Sequence, residues 1–257
     1  MAIFNRILYF FLLLSVLGNC QSPYSVSDGD RAILLSAGGS LTFLSYMLDS
    51  KVEPLTDGEV SALNRNEING FDIGATYNYS PAGALASDIL LGTTALSPLL
   101  LMLSPEIKKD AAGYLMMFAE MSMFTLSATY LVKSNVKRIR PYAYNENVPL
   151  EEKTNSETRR SFFSGHASFA FASAVFVSET FAEYYPESKY KNVVRGAALL
   201  TATATGYLRY YAGRHFPSDI IAGAVVGGAI GYIIPKINKS AKSKPAENLN
   251  INFTIPL

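Results

Sequence analysis

The chain contains little cysteine, histidine or charge. Its 257 residues include one cysteine, Cys20, which excludes a disulfide framework and any cysteine-based zinc or iron–sulfur site. Charged residues make up 17% and the net charge is +1, so no surplus of lysine and arginine exists to bind a nucleic-acid backbone. Hydrophobic residues nevertheless make up 49%, which excludes disorder and favours a helical bundle or a membrane-embedded chain. Any histidine chemistry must use His166 or His215.

The first twenty residues have the layout of a secretory signal. Arg6 precedes an apolar run from Ile7 to Leu17, which is too short for a comfortable membrane span. The run ends in the sequence Leu-Gly-Asn-Cys20, which resembles a bacterial lipoprotein cleavage box with Cys20 as the lipidated residue. Plain cleavage and an uncleaved anchor are the alternatives. We therefore predict a signal peptide over residues 1–20 and a location in the cell envelope of a bacterium, either lipid-tethered or integral to the membrane.

Six further apolar segments follow, each 15 to 22 residues long and rich in Gly, Ala, Ser and Thr. Such lengths fit helices better than strands, so we predict an all-α fold, a bundle of about six helices. Composition leaves open whether the bundle spans the membrane or lies compactly at its surface. In the last segment three glycines spaced by four share one face, which predicts close helix contact. The segments are 33–48, 82–103, 111–132, 167–185, 193–207 and 220–234.

Two short polar motifs stand beside the predicted helices. Lys133 and Arg140 are seven residues apart, so they lie on one helical face, two turns from each other. Ser164, Gly165 and His166 come immediately before the next helix. The start of a helix presents free backbone N–H groups and a positive dipole end, so an anion is favoured there.

A third motif opens the last helix. Arg209 is followed by His215, and Pro217 suits the first helical position, which places Asp219 in the first turn. The carboxylate of Asp219 can accept the ring N–H of His215 from there. If the last four helices alternate in direction, the three motifs meet, which predicts an active site at one end of the bundle.

The three motifs together resemble the signature of the type-2 phosphatidic acid phosphatase superfamily, which also includes bacterial acid phosphatases and vanadium haloperoxidases. Their order and spacing match from Lys133 to Asp219. Phe163 stands where the family usually has proline, and Leu208 stands where it usually has serine, and neither change removes a catalytic group.

The resemblance and the chemistry of the side chains imply the same roles. Three cations, Ser164 and the Gly165 N–H would bind phosphate, because phosphoryl transfer concentrates charge on the equatorial oxygens. His215 would attack phosphorus to give a phosphohistidine, and Asp219 would hold its neutral tautomer. His166 would protonate the leaving oxygen and then activate water. No metal or cofactor is required. The three cations are Lys133, Arg140 and Arg209, whereas Arg138 and Arg214 are interpreted as ordinary surface or supporting charges.

These roles predict a metal-independent phosphatase that acts on a phosphomonoester or diphosphate, and the apolar composition favours a lipid as the substrate. Its partners would be that substrate and the membrane, and it would not bind nucleic acid. The active site would face the periplasm or exterior. The sequence does not indicate the oligomeric state. Three alternatives stay open: a lipid-tethered periplasmic acid phosphatase for soluble phosphomonoesters, a vanadate-dependent haloperoxidase, and a non-enzymatic membrane scaffold with a relic site.

The chain is predicted to form one domain with four regions. The signal occupies residues 1–20, and N-terminal helices with a polar loop occupy residues 21–110. The catalytic core covers residues 111–235, and a basic and polar tail covers residues 236–257. The polar loop, residues 49–80, is interpreted as a plain loop or as short helices that form a lid.

Overall fold

The computed structural model describes residues 22–25 and 28–239, so the predicted signal and most of the predicted tail lie outside the described residues. Within this part the regular structure is helical, apart from one isolated bridge between Tyr24 and Lys239. Its nine α-helices are α1 (Asp28–Asp49), α2 (Asp57–Ser61), α3 (Pro81–Leu101), α4 (Pro105–Lys109), α5 (Ala111–Val136), α6 (Leu150–Lys153), α7 (Gly165–Tyr184), α8 (Lys191–Tyr211) and α9 (Pro217–Ile237).

The all-helical class is confirmed, but the predicted number of about six helices is not matched. Six of the nine described helices have 20 residues or more and coincide with the six apolar segments. The other three, α2, α4 and α6, have four or five residues. They form through local signals, such as the capping box of Thr56 and Glu59 in α2 and the first-turn Pro105 in α4. An apolar repeat therefore does not predict them.

Helix α7 lies at the centre of the bundle. It packs against α9, α8, α3 and α5, while α1 packs mainly against α5. The largest apolar cluster joins Tyr114, Met117 and Met121 of α5 to Phe176 of α7 and Ile234 of α9. Because α7 contacts so many neighbours, its first turn is held from several sides, and this turn contributes to the candidate site.

The predicted glycine face of α9 is confirmed as a close helix contact. Gly223, Gly227 and Gly231 are all buried against α7. A Cβ atom added to Gly227 would lie 1.9 Å from the carbonyl oxygen of Ser168, a distance that no side chain can occupy. Only glycine therefore permits this approach of the two backbones.

The outer surface of the bundle is apolar, as expected for contact with lipid. Among the helices that the structure describes, four are long and apolar enough to cross a membrane by length and composition: α1, α3, α5 and α9. Large apolar side chains on their outer faces are exposed rather than buried, which is costly in water and favourable in a bilayer. These features support membrane association. The exposed side chains include Leu85, Ile89, Leu96 and Leu100 on α3 and Ile221, Val225 and Ile233 on α9.

The two ends of the bundle hold different segments. At one end, the Asp49 carboxylate at the end of α1 pairs with Arg160, just before α7. At the other end, the hydroxyl of Ser22 donates to Asp110 at the start of α5. The backbone N–H of Ser25 donates there to the carbonyl of Asn238 after α9, at 3.1 Å. The first described residues thus lie at the end opposite to Arg160.

Candidate active site

His215 lies in the turn between α8 and α9. Gly213 has a φ of +70°, which glycine adopts without strain, and this turn brings the backbone N–H groups of Arg214 and His215 onto the carbonyl of Arg209. The buried ring places Nδ1 2.8 Å from the carbonyl oxygen of Ser161. A carbonyl can only accept, so Nδ1 carries the proton and Nε2 keeps a free lone pair.

Asp219 contributes differently from the expectation. Its Oδ2 lies 3.7 Å from Nδ1 of His215, beyond hydrogen-bond distance, and the Ser161 carbonyl takes the place predicted for the carboxylate. Oδ2 instead accepts from the Ser161 hydroxyl at 2.5 Å and from the Phe216 N–H at 2.9 Å. Asp219 therefore fixes the start of α9 and the segment that carries the Ser161 carbonyl. Both flank His215.

Of the two interpretations of Arg138, a surface charge or a supporting charge, the structure agrees with the second: Arg138 is a structural clamp. Its guanidinium pairs with Asp219 Oδ1 at 2.5 Å and with Asp72 Oδ2 at 2.8 Å, and it stacks over the Phe216 ring. Asp72 also accepts from the backbone N–H and hydroxyl of Ser218. The polar loop before α3 is thus fastened to the start of α9, next to His215.

The two phosphate-binding arginines of the prediction are both buried. The prediction that Arg140 shares a helical face with Lys133 is wrong, because α5 ends at Val136. Arg140 is in extended conformation before Pro141 and donates to Glu157 at 3.0 Å. Arg209, in the last turn of α8, donates to Ser87 and Asp88, each at 3.2 Å. The Nε–H groups of both arginines are buried without a hydrogen-bond partner among the described residues. Arg65 and Arg160 have buried Nε–H groups of the same kind, so what distinguishes Arg140 and Arg209 is that both act on the ring of His215, where an anion would satisfy their donors.

Lys133 and the start of α7 complete the cationic side. Ser164 is the N-cap of α7, where its hydroxyl accepts from the N–H of Ala167, and its own N–H donates to the Asp219 carbonyl at 3.0 Å. A Cβ atom added to Gly165 would lie 3.6 Å from Nζ of Lys133, so the ammonium group is close to this helix start. The Gly165 N–H and the ammonium group have no hydrogen-bond partner in the described part of the chain. Both can bind an anion.

The second histidine has an acidic partner that the sequence analysis did not assign. His166 Nε2 lies 2.7 Å from Oδ1 of Asp88, in the second turn of α3, and the same oxygen contacts Arg209. A signal for this residue was present, because an ionisable residue inside an apolar segment is a candidate functional group by default. The order of the three motifs gave no reason to look as far upstream as α3.

The electrostatics of the site favour a neutral His215. Burial is the largest cause that lowers the pKa of His215 well below its usual value, and Arg140, Arg209, Lys133 and His166 lower it further. Groups from four separate segments therefore act on one ring. The structure thus brings all three predicted motifs together at one end of the bundle.

The pKa of His166 is also lowered, to about 4, mainly by burial and then by Arg209. The hydrogen bond to Asp88 acts in the opposite direction. A neighbouring cleft of about 440 Å³ is lined by both charge signs, including Arg140, Arg214 and Glu152. Among the described residues, no group of three or more His, Cys, Asp or Glu side chains is arranged to hold a metal ion.

Comparison with known proteins identifies the family of this chain. A model of the PAP2 superfamily matches residues 112–242, about half of the chain and all three motifs. The chain is 36% identical over 92 residues to "Probable diacylglycerol pyrophosphate phosphatase 1" of Schizosaccharomyces pombe. The match covers 34% of this chain and 33% of that relative, so this chain spans about a third of the relative's length. A phosphatidylglycerolphosphate phosphatase of PAP2 type from Bacillus subtilis, solved by crystallography, is 21% identical, with a TM-score of 0.49, over 78% of this chain and 94% of that one. By the match of the family over all three motifs, this chain belongs to the PAP2 superfamily.

Proposed function

We propose that this protein is a phosphatase that hydrolyses a phosphomonoester or diphosphate of a lipid through a phosphohistidine intermediate. One observation carries the proposal: the buried Nε–H groups of Arg140 and Arg209 lack partners in the described residues, beside a neutral His215. A buried donor without an acceptor is costly, and a guanidinium matches the oxygens of phosphate best. A tetrahedral phosphate would satisfy these donors within reach of a nucleophile.

In the first step, Nε2 of His215 attacks phosphorus in line with the leaving oxygen. The N–P bond forms while the P–O bond breaks, and the electron pair of the broken bond stays on the leaving oxygen. His166 gives its proton to that oxygen, so the product leaves as an alcohol or, from a diphosphate, as a lipid phosphate. Arg140, Arg209 and the Gly165 N–H stabilise the charge on the equatorial oxygens.

In the second step, water attacks phosphorus of the phosphohistidine and passes a proton to His166. The N–P bond breaks, its electron pair returns to Nε2 of His215, and phosphate is released. The Ser161 carbonyl holds the Nδ1 proton of His215 in both steps, because that hydrogen bond does not involve the reacting nitrogen. The proposed steps use only groups of this chain, without a metal or cofactor.

A lipid substrate is favoured by the surroundings of the site. Apolar faces of α1, α3, α5 and α9 would keep the protein in or on a bilayer, where phospholipids are concentrated. The Schizosaccharomyces pombe relative is named for a lipid diphosphate. We place the protein in the membrane of a bacterial cell envelope, and we infer that the phosphate enters from the headgroup region.

The test is to trap the intermediate. Purified protein in detergent is mixed with ³²P-labelled phosphatidic acid and quenched in alkali, where phosphohistidine survives. We expect a labelled protein from the wild type and none from His215→Ala, with kcat lower by at least about 10³-fold. Asp219→Asn should keep residual activity, because the Ser161 carbonyl still orients the ring. Arg159→Ala, which removes a cation paired with exposed Glu59, is the matched control and should behave as the wild type.

Three results would change the assignment. Activity of His215→Ala close to that of the wild type contradicts the nucleophile. Equal turnover of water-soluble phosphomonoesters and micellar lipids favours the soluble-substrate alternative. Halogenation with vanadate and peroxide favours the haloperoxidase. In the proposed reaction vanadate only inhibits, since it mimics five-coordinate phosphorus, and a strong chelator has no effect.

A further inference from the structure

Asp88 is the one carboxylate within hydrogen-bond distance of either histidine in the described residues. It lies on α3, a helix that carries none of the three motifs, and about half of its side chain is exposed. Its Oδ1 contacts His166 Nε2 at 2.7 Å and Arg209 Nη1 at 3.2 Å. Helix α3 packs against both α7 and α8, so the position of the carboxylate is set by helix packing rather than by a loop.

The two histidines are held in complementary ways. His215 binds the Ser161 carbonyl through Nδ1, and this leaves Nε2 free as the nucleophile. His166 binds Asp88 through Nε2, and its Nδ1 has no hydrogen-bond partner among the residues that the structure describes. Each ring therefore has one nitrogen that is anchored and one that can exchange with the substrate.

We propose that Asp88 is the positioning residue of the general acid: it holds Nε2–H of His166 and directs Nδ1 to the leaving oxygen. This inference rests on the proposed phosphatase function and extends it to a residue outside the three motifs. Nδ1 gives its proton to the leaving oxygen as the P–O bond breaks, and takes a proton from water in the second step. Asp88 exchanges no proton in either step.

The charges around His166 make such a carboxylate necessary. Cations disfavour the imidazolium form that a general acid requires, and burial has the same effect. Asp88 contributes the opposing negative charge, and a bound phosphate would add to it. The charged and titratable groups that surround His166 are Asp88 from α3, Lys133 from α5, Arg140 from the segment after α5, Arg209 from α8 and His215 from the segment before α9.

The effect on pH dependence has a definite sign. Asp88 raises the pKa of His166, whereas burial and Arg209 lower it. The first step needs the protonated ring of His166. As pH rises through the pKa of that ring, the protonated fraction falls, and kcat/KM falls with it. Without the carboxylate this pKa is lower, and the alkaline limb of kcat/KM must move to lower pH.

The experiment compares Asp88→Asn with Ser87→Ala in the full-length protein in detergent. Asparagine keeps the shape of the side chain but removes its charge. Ser87→Ala is the matched control, because Ser87 contacts Arg209 at the same 3.2 Å and does not contact His166. For each protein, kcat/KM is measured across pH with a short-chain phosphatidic acid, whose alkoxide needs protonation, and with p-nitrophenyl phosphate, whose phenolate leaves without it.

For Asp88→Asn we expect kcat/KM on phosphatidic acid to fall about 10²-fold, within the range of general acid catalysis, and the loss on p-nitrophenyl phosphate to be less than about threefold. The alkaline limb should move down by about one pH unit. Ser87→Ala should raise KM for both substrates without moving that limb.

Three results would overturn the inference about Asp88. An unchanged alkaline limb, or equal losses on the two substrates, means that Asp88 supports only the fold or Arg209. A pH shift in Ser87→Ala of the same size means that the effect passes through Arg209. If the wild type itself forms no phosphoenzyme, the proposed function fails first and the role of Asp88 fails with it. The wild-type trapping experiment therefore separates the two failures.

Discussion

At the scale of single residues, the spacing of the third motif predicts which groups lie near His215 but not which atom holds its ring. Asp219 and His215 are four residues apart across a helix start, so a direct contact was reasonable. In the structure Ser161, more than fifty residues upstream, supplies the acceptor. The oxygens of Asp219 are already occupied by Ser161, Phe216 and Arg138. Competition between acceptors is a property of the folded state.

Arg138 provides a residue-scale prediction. Arg138→Met leaves the carboxylate of Asp219 buried without its ion pair and removes one of the contacts that hold Asp72, which then keeps its hydrogen bonds to Ser218. We expect a loss of roughly 1.5–3 kcal/mol in the free energy of unfolding, the range for hydrogen bonds to charged groups, together with lower kcat. Thermal unfolding in detergent and the phosphatase assay measure both effects.

Arg159→Met is the control for this prediction. Arg159 pairs with Glu59, whose side chain is about half exposed, and exposed pairs contribute about 0–1 kcal/mol. If Arg138→Met were as stable and as active as Arg159→Met, the clamp between the polar loop and α9 would have no role.

At the scale of elements, the contact between α7 and α9 sets the position of the catalytic turn. The glycine face lets the two backbones touch along three successive turns. Gly223 lies against the carbonyl of Ser164, so the same contact fixes the start of both helices at the site. The sequence predicts this face from its spacing of four, because small residues at that spacing share one side of a helix.

Two adjacent glycines of α9 test the contact between α7 and α9, because only one of them lies in it. Gly227→Ala forces a methyl group against the backbone of Ser168, so we expect a loss of about 1–3 kcal/mol in stability from overpacking. Gly228→Ala meets only Val175, at 3.9 Å, and should be neutral or slightly stabilising. Thermal unfolding of the two variants in one detergent distinguishes them, and equal melting temperatures would contradict the packing described for α9.

The polar loop between α1 and α3 shows a limit of local patterns. Its composition predicted either a plain loop or short helices over the bundle. The structure contains a short helix, α2, two 3-10 turns and the Asp72 clamp. The capping box of Thr56 and Glu59 is readable in the sequence, whereas the partners of Asp72 are 66 and 146 residues away. Their meeting depends on the bundle.

At the scale of the whole molecule, the two ends of the bundle constrain its orientation. Ser22 lies at the end opposite to the site. If the residues after the predicted signal are exported and the bundle spans the membrane, the site faces the cytoplasm. The predicted export and the predicted periplasmic site are compatible only in a tethered bundle that does not span. Orientation is therefore coupled to the mode of membrane attachment.

Cysteine labelling tests this coupling in whole cells. In the wild-type chain, which by itself reports any labelling of Cys20, Glu53→Cys reports the site end and Lys108→Cys reports the other end; both positions are exposed. With an impermeant thiol reagent, a spanning bundle gives one labelled variant in intact cells and two after permeabilisation. We expect Lys108→Cys to be the one labelled from outside. Labelling of both variants in intact cells would contradict the spanning arrangement and favour the tethered bundle.

The sequence by itself determined the helical class, the six long helices, the glycine face and the three motifs, because each depends on spacing along the chain. The tertiary structure alone decided that Ser161 holds His215, that Arg138 clamps Asp72 to Asp219, and that Asp88 binds His166. Each of these contacts joins residues on different elements, and a hydrogen bond over a long sequence separation forms only where packing brings donor and acceptor within about 3 Å. Local patterns contain no information about that distance.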